Sequence, residues 1–234
     1  MGELRKIAEG GEAFSAYRAD PADSPAGGGV LVIQEIFGLT PFVTGVVDDF
    51  AGRGYSASAP DLFWRAAPNI VLNPGSEDDR TRAMQLNAGL DEALAIIDCD
   101  AAVRELRSGP GGAAKVGAVG YCLGGRLAYL LAARTDIDAA VGYYGVAIDA
   151  RLDEAVNIRA PLMLHIAGED HLCPPEVQRV IVDTLRERAP SAVVHIYEGA
   201  GHGFARVGSP AYNAEAAELA NRRTAEFLAK HLAA

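Results

Sequence analysis

Val116-Gly117-Ala118-Val119-Gly120-Tyr121-Cys122-Leu123-Gly124-Gly125 is the stretch whose reading decides the fold. An apolar run of small and β-branched residues leads into Gly-x-Cys-x-Gly, and a helical pattern over residues 125–134 follows. Strand, tight turn and helix in that order form a nucleophile elbow, here with cysteine where serine usually stands. A nucleophile at such a turn sits on strained backbone, so the residues two positions away must be small, as Gly120 and Gly124 are. The turn is expected to present the sulfur above the sheet at a helix N-terminus, where the helix dipole favours thiolate over thiol. The plainer alternative is a buried structural cysteine. The glycine spacing between a strand and a helix favours the nucleophile.

Working outward, short apolar runs alternate with helical patterns. Strands are expected at 29–34, 55–59, 115–121, 139–144, 162–167 and 192–197, with an early strand or hairpin at 11–18. Thr40-Pro41 offers an N-cap and first-turn proline to a helix with Val43, Val46, Val47 and Phe50 on one face and Gly54 as its stop. Further helices are expected at 79–88, 91–107, 175–188 and 212–231, a loop at 64–75 and a glycine-rich turn at 109–112. This alternation predicts an α/β fold, a mostly parallel central sheet flanked by helices. With 234 residues, no internal repeat and no linker, a single α/β-hydrolase domain over 1–234 is expected.

Half the residues are hydrophobic and 22% are charged, a globular composition. The formal charge of -10, from 21 Lys+Arg against 31 Asp+Glu, argues against nucleic acid or anionic membrane as partner. No apolar run reads as a signal peptide or reaches bilayer length. Cys99, Cys122 and Cys173 fit neither a disulfide framework nor a zinc knuckle, so a cytoplasmic protein is expected. Cys99 reads as helix core beside Ile96, and Cys173 as packing. No nucleotide, metalloprotease or paired-cysteine motif occurs, and no cofactor or metal is expected.

α/β-hydrolases carry their triad in the chain order nucleophile, acid, histidine. The strand at 162–167 runs into Gly168-Glu169-Asp170-His171-Leu172-Cys173-Pro174-Pro175, where Asp170 is preferred to Glu169 as the acid. The final strand runs into Glu198-Gly199-Ala200-Gly201-His202-Gly203-Phe204, which makes His202 the base. His165 and His195 lie within strands and read as satisfied sheet residues. His231 reads as solvated at the chain end, and His171 has the wrong spacing. A cap or turn aspartate is the plainer reading of Asp170. The chemistry expected is acyl transfer: Cys122 attacks an ester carbonyl, His202 moves the proton and Asp170 orients the ring. Backbone N–H groups of Leu123 and Ile36 are expected to form the oxyanion hole.

Four segments make the chain resemble the dienelactone hydrolase (carboxymethylenebutenolidase) family: Gln34-Glu35-Ile36-Phe37-Gly38, Gly120-Tyr121-Cys122-Leu123-Gly124-Gly125, Gly142-Tyr143-Tyr144-Gly145 and Gly201-His202-Gly203-Phe204-Ala205-Arg206. Their order and the total length extend the resemblance over essentially the whole chain. It implies opening of 4-carboxymethylenebut-2-en-4-olide to maleylacetate in the degradation of chlorinated aromatics. It also implies that Cys122, Asp170 and His202 form the triad, and that Glu35 holds the resting thiol neutral and takes its proton when substrate displaces it. Two arginines bind the substrate carboxylate in the family. Arg206 matches one, and Arg80, with Arg82 as the alternative, matches the other; guanidinium forks suit a planar carboxylate. Phe37 and Tyr144, with Trp64 and Phe204, are expected to line the pocket. Two departures stand out. Gly203 replaces a serine, which is expected to loosen the histidine loop, and Met84 stands where an aromatic residue is expected near the substrate.

The expected partner is therefore a small-molecule ester or lactone carrying a carboxylate, bound by a monomer. A general carboxylesterase or thioesterase is the nearest alternative. A non-catalytic ligand-binding protein and a thiol redox sensor are the alternatives from other classes.

Overall fold

The computed structural model describes residues 1–22, 28–109 and 112–233, so the middle of the expected turn at 109–112 lies outside the described residues. The chain divides into two compact units, Met1–Val116 and Gly117–Ala233.

In the first unit, β1 (Glu3–Glu9) and β2 (Glu12–Ala19) form an antiparallel hairpin. It reverses at Gly10 and Gly11, with φ of 60° and 87°, the positive values that a tight hairpin turn demands. β2 pairs antiparallel with β4 (Ser56–Pro60), and β4 pairs parallel with β3 (Gly29–Ile33), giving the order β1-β2-β4-β3. β3 is buried along its whole length, as its unbroken apolar run requires. Helix α1 (Pro41–Gly52) starts after Thr40 with proline in its first turn and buries Val43, Val47 and Phe50. Val46, expected on that face, lies at its margin and is half-buried. Helices α2 (Glu77–Ala88) and α3 (Glu92–Ser108) open on side-chain caps from Ser76 and Asp91, each accepting backbone N–H bonds of the first turn.

The second unit holds a parallel set in the order β5-β6-β7-β8. Its elements are β5 (Val116–Tyr121, opening on the last residue of the first unit), α4 (Leu123–Arg134), β6 (Ala139–Tyr143), β7 (Leu162–Ala167), α5 (Pro175–Arg188), β8 (Val193–Tyr197) and α6 (Ala214–Leu232). Helix α4 begins at Leu123, two residues before the expected start, because the turn at Cys122 is so tight that the helix follows it directly. A 3-10 helix over Asp149–Asn157, absent from the sequence reading, buries only Leu152 and Ala155, too few apolar positions to leave a periodic signal.

Below the site, His165 of β7 is fully buried and fully satisfied, as a sheet histidine should be. Its Nδ1 lies 2.8 Å from the Tyr197 hydroxyl and its Nε2 2.9 Å from Thr224 Oγ1 on α6. Thr224 Oγ1 is 2.6 Å from the Tyr143 hydroxyl, which donates to Asn221 Oδ1 at 3.0 Å. Burial, reinforced by the charges of His195 and Arg223, holds the His165 pKa well below the ordinary imidazole value.

A depressed histidine pKa makes acid destabilising, because only the unfolded chain takes up the proton below about pH 6.5. His165 therefore contributes stability that is present above that pH and is lost as pH falls toward its folded pKa. Urea midpoints measured between pH 7.5 and 5 should fall for the wild type and fall less steeply for His165→Gln. Equal slopes in the two proteins would refute the assignment.

Candidate active site

The elbow is built as its glycines require. Cys122 has φ 56° and ψ −112°, a strained conformation for a residue with a side chain. A Cβ on Gly120 would lie 1.9 Å from the Gly124 carbonyl oxygen, and one on Gly125 would lie 2.7 Å from that of Tyr143. The Cys122 N–H donates to the Tyr143 carbonyl at 3.0 Å, and the Gly125 N–H closes the turn on the Cys122 carbonyl at 3.0 Å. Leu123, the first residue of α4, carries an N–H with no acceptor inside the helix, as an oxyanion donor must. Cys122 itself is buried but for a small exposed portion.

Asp170 stands on the loop after β7, and both of its oxygens are used. Oδ1 accepts the Leu172 N–H at 2.9 Å and Oδ2 lies 2.8 Å from His202 Nδ1. Its side chain is 1% exposed, whereas Glu169 points to solvent, which settles the choice between the two carboxylates in favour of Asp170 as the residue facing the histidine. The Glu169 N–H donates to the Ala200 carbonyl at 2.9 Å, tying the acid loop to the histidine loop. Phe204 is fully buried and packs on Tyr197 and Tyr144 with ring centroids 5.0 and 5.5 Å apart. This anchors the chain two residues after His202. Tyr144 meets His202 edge-on at 5.1 Å. Gly203 has φ 84°, which glycine adopts without strain, so its presence fits the loop conformation and gives no reason to expect loosening.

His202 hydrogen-bonds to Asp170 and lies close enough to Cys122 for the two groups to influence each other's charge. Burial alone would lower the imidazole pKa. The hydrogen bond to Asp170 and the proximity of Cys122 and Asp170 more than offset it and push the value up to about 10. That shift favours the protonated imidazolium of His202. Such a trio can attack an electrophilic carbon with sulfur and return a proton from nitrogen to a departing oxygen.

The other expected residues fall into two groups. In the second unit, Arg206 is half-buried and its N–H donates to the Gly203 carbonyl at 3.0 Å, which binds it to the histidine loop. Tyr144 is buried against His202. In the first unit, Glu35 is buried just beyond β3, and Ile36 and Phe37 form the turn that follows. Gln34 braces that turn: its amide nitrogen donates to the Glu35 carbonyl at 3.2 Å while its oxygen accepts the Leu62 N–H at 3.2 Å. Arg80, Arg82 and Met84 are exposed on α2, where Arg80 donates to the Pro74 carbonyl and Arg82 to Gln85. Trp64, expected to line a pocket, is held by structural partners. Its indole N–H donates to Asp98 at 3.0 Å, Phe14 stacks on one side, and the Arg65 guanidinium lies 4.2 Å from the ring centre. His231, expected to be solvated, is half-buried and packs on Phe227 with centroids 4.6 Å apart. Among the described residues, no group of three or more His, Cys, Asp or Glu side chains is arranged to hold a metal ion.

One residue of the neighbourhood escaped the sequence reading. Gln178, on α5, is buried and donates to carbonyls at both ends of the acid loop. A glutamine four residues into a helix reads as solvated surface, and nothing local marks it.

A thiol at a strand-to-helix elbow, followed by an acid and a histidine on the loops after two later parallel strands, defines the class as an ester hydrolase of the α/β-hydrolase fold. Comparison with known proteins narrows it. The model of the dienelactone hydrolase family matches residues 14–232. The chain is 41% identical over 219 residues to the carboxymethylenebutenolidase of Pseudomonas putida, covering 94% of this chain and 92% of that one. It is 36% identical over 219 residues to carboxymethylenebutenolidase 1 of Cupriavidus pinatubonensis, with the same coverage. A provisionally assigned dienelactone hydrolase of Klebsiella pneumoniae superposes with a TM-score of 0.87 at 26% identity, over 98% of each chain. The chain belongs to the dienelactone hydrolase family.

Proposed function

We propose that the protein opens dienelactone, 4-carboxymethylenebut-2-en-4-olide, to maleylacetate with Cys122 as nucleophile. The observation that carries the reading is the Asp170–His202 hydrogen bond beside Cys122 on the strained elbow. The substrate is supported by relatives at 41% and 36% identity that are named carboxymethylenebutenolidases.

In this reading Glu35 accepts the proton of the Cys122 thiol, and the thiolate adds to the lactone carbonyl. The oxyanion is met by the N–H groups of Leu123 and Ile36. Collapse breaks the ring C–O bond, the His202 imidazolium protonates the departing enol oxygen, and a thioester remains on Cys122. Neutral His202 then takes a proton from water as that water attacks the thioester, and the returning thiolate recovers its proton from Glu35. Atoms balance as lactone plus water. Arg206 and Arg80, with Arg82 as the alternative, bind the substrate carboxylate, and Phe37 and Tyr144 line the pocket. The charge of -10 supports a small-molecule substrate over nucleic acid. The enzyme then acts as a cofactor-free cytoplasmic monomer in the degradation of aromatic compounds.

Ultraviolet absorbance loss with dienelactone, run beside a neutral lactone analogue, tests this. Arg206→Met should raise KM for dienelactone by about 10- to 100-fold, the loss of one charge-assisted hydrogen-bonding partner, and leave the neutral analogue unaffected. If the wild type consumes both compounds equally well, the enzyme is a general carboxylesterase. Absence of turnover with either rejects the reading.

A further inference from the structure

The acid loop is short and polar and carries Asp170, the carboxylate bonded to His202. Gly168 to Cys173 spans the gap between β7 and α5. Its backbone satisfies itself only in part: the Cys173 N–H donates to the Asp170 carbonyl at 3.1 Å, the Gly168 N–H to Tyr197 and the Glu169 N–H to Ala200. These bonds use N–H groups and leave the carbonyls at the two ends of the loop to another donor. The side-chain nitrogen of Gln178 supplies it, lying 3.1 Å from the Ala167 carbonyl oxygen, 3.2 Å from that of Gly168 and 2.8 Å from that of Cys173. One buried amide thus joins the entry and the exit of the loop across a span of six residues. A small cavity of about 10 Å³, lined by Asp170, Cys173, Tyr144 and Ile181 among others, borders the loop.

We infer that Gln178 is a positioning residue for the reaction: by clamping Ala167, Gly168 and Cys173 it fixes the Asp170 carboxylate against His202, and so holds the imidazole in place beside Cys122. The inference rests on the proposed cysteine mechanism. A loosened loop lengthens the Asp170–His202 bond, lowers the imidazole pKa and leaves the ring less well placed to assist Cys122. Substrate contacts lie elsewhere, so kcat should fall while KM holds.

The test compares wild type, Gln178→Met and Gln178→Glu. Methionine keeps the length of the side chain and removes both donors. Glutamate keeps the shape and, when ionised, presents oxygens to three carbonyl oxygens. It can donate one bond when protonated. The readouts are kcat and KM for dienelactone, the melting temperature, and the pH dependence of Cys122 alkylation by iodoacetamide. Gln178→Met should lose about 10-fold or more in kcat with KM within twofold, and its alkylation profile should move to higher pH. Gln178→Glu should regain activity relative to wild type as pH is lowered from 8 to 6, and this comparison serves if the methionine variant does not fold. A merely structural residue would lower the melting temperature and leave the alkylation profile of the folded protein unchanged. That result in either variant, or an unchanged kcat, overturns the inference. If wild-type turnover survives alkylation of Cys122, the cysteine mechanism itself fails, which is a separate outcome.

Discussion

Cys122→Ala should leave a folded protein whose turnover of dienelactone has fallen by about 10⁶-fold in kcat, the scale seen when a triad nucleophile is removed. Deleting the sulfur removes the covalent route, whereas the N–H of Leu123 and the substrate contacts remain, so binding should persist with KM within a few fold. The substitution also removes one of the two partners that raise the His202 pKa, which should drop from about 10 toward the ordinary imidazole value. Cys122→Gly separates chemistry from strain. At φ 56° and ψ −112° the backbone is unfavourable for any side chain, and relieving it is worth about 1–3 kcal/mol, less the entropy that glycine adds to the unfolded chain. The glycine variant should therefore be as inactive as alanine and melt at a higher temperature. Activity retained in Cys122→Ala would falsify the nucleophile assignment, and equal melting temperatures would show that the strain at the turn is no larger than the entropy that glycine adds to the unfolded chain.

Much of this site was legible because its causes are local. Gly120 is demanded by a carbonyl only four residues further on, Thr40-Pro41 and Asp91 announce helix starts within one turn, and β7 and α5 have the bounds that their apolar runs and the Pro174-Pro175 pair indicate. Chain order also pointed to Asp170 and His202, which the structure brings within 2.8 Å of each other, each on the loop after a parallel strand. Features that depend on distant partners were not legible. Trp64 looked like a pocket residue until Asp98, 34 positions away, claimed its indole N–H. Gln178 looked like helix surface because the carbonyls it clamps belong to the loop before its helix. The charge on His202 is likewise a three-body result of burial, Asp170 and Cys122, brought together over 80 residues of chain. The early start of α4 is a smaller case: the sequence places Cys122 at the turn, but only the backbone shows that no residue intervenes before the helix.

Asp170→Asn should keep the fold of the loop and still lower kcat by about 10⁴-fold, as the corresponding change does in serine triads. The reason lies in which oxygen does what. Oδ1 accepts the Leu172 N–H, and this backbone bond fixes the orientation of the side chain, so in asparagine the oxygen stays there and the amide NH₂ takes the place of Oδ2. A donor then faces His202 Nδ1, which in the native protein donates to the carboxylate at 2.8 Å. The ring must adopt the other tautomer, with its proton on Nε2 pointing at the sulfur, and it can no longer accept a proton there. Loss of the carboxylate also removes a main source of the raised His202 pKa. The sign of the consequence follows. A folded pKa raised to about 10 contributes stability that is fully present below the unfolded value near 6.5 and is lost as pH rises through about 10. The gap in urea midpoint between wild type and Asp170→Asn should therefore be widest at pH 6 and narrow by pH 10. A gap that is equal at both pH values would mean that Asp170 holds His202 by geometry alone. The rate loss would then reflect orientation, with no part played by charge.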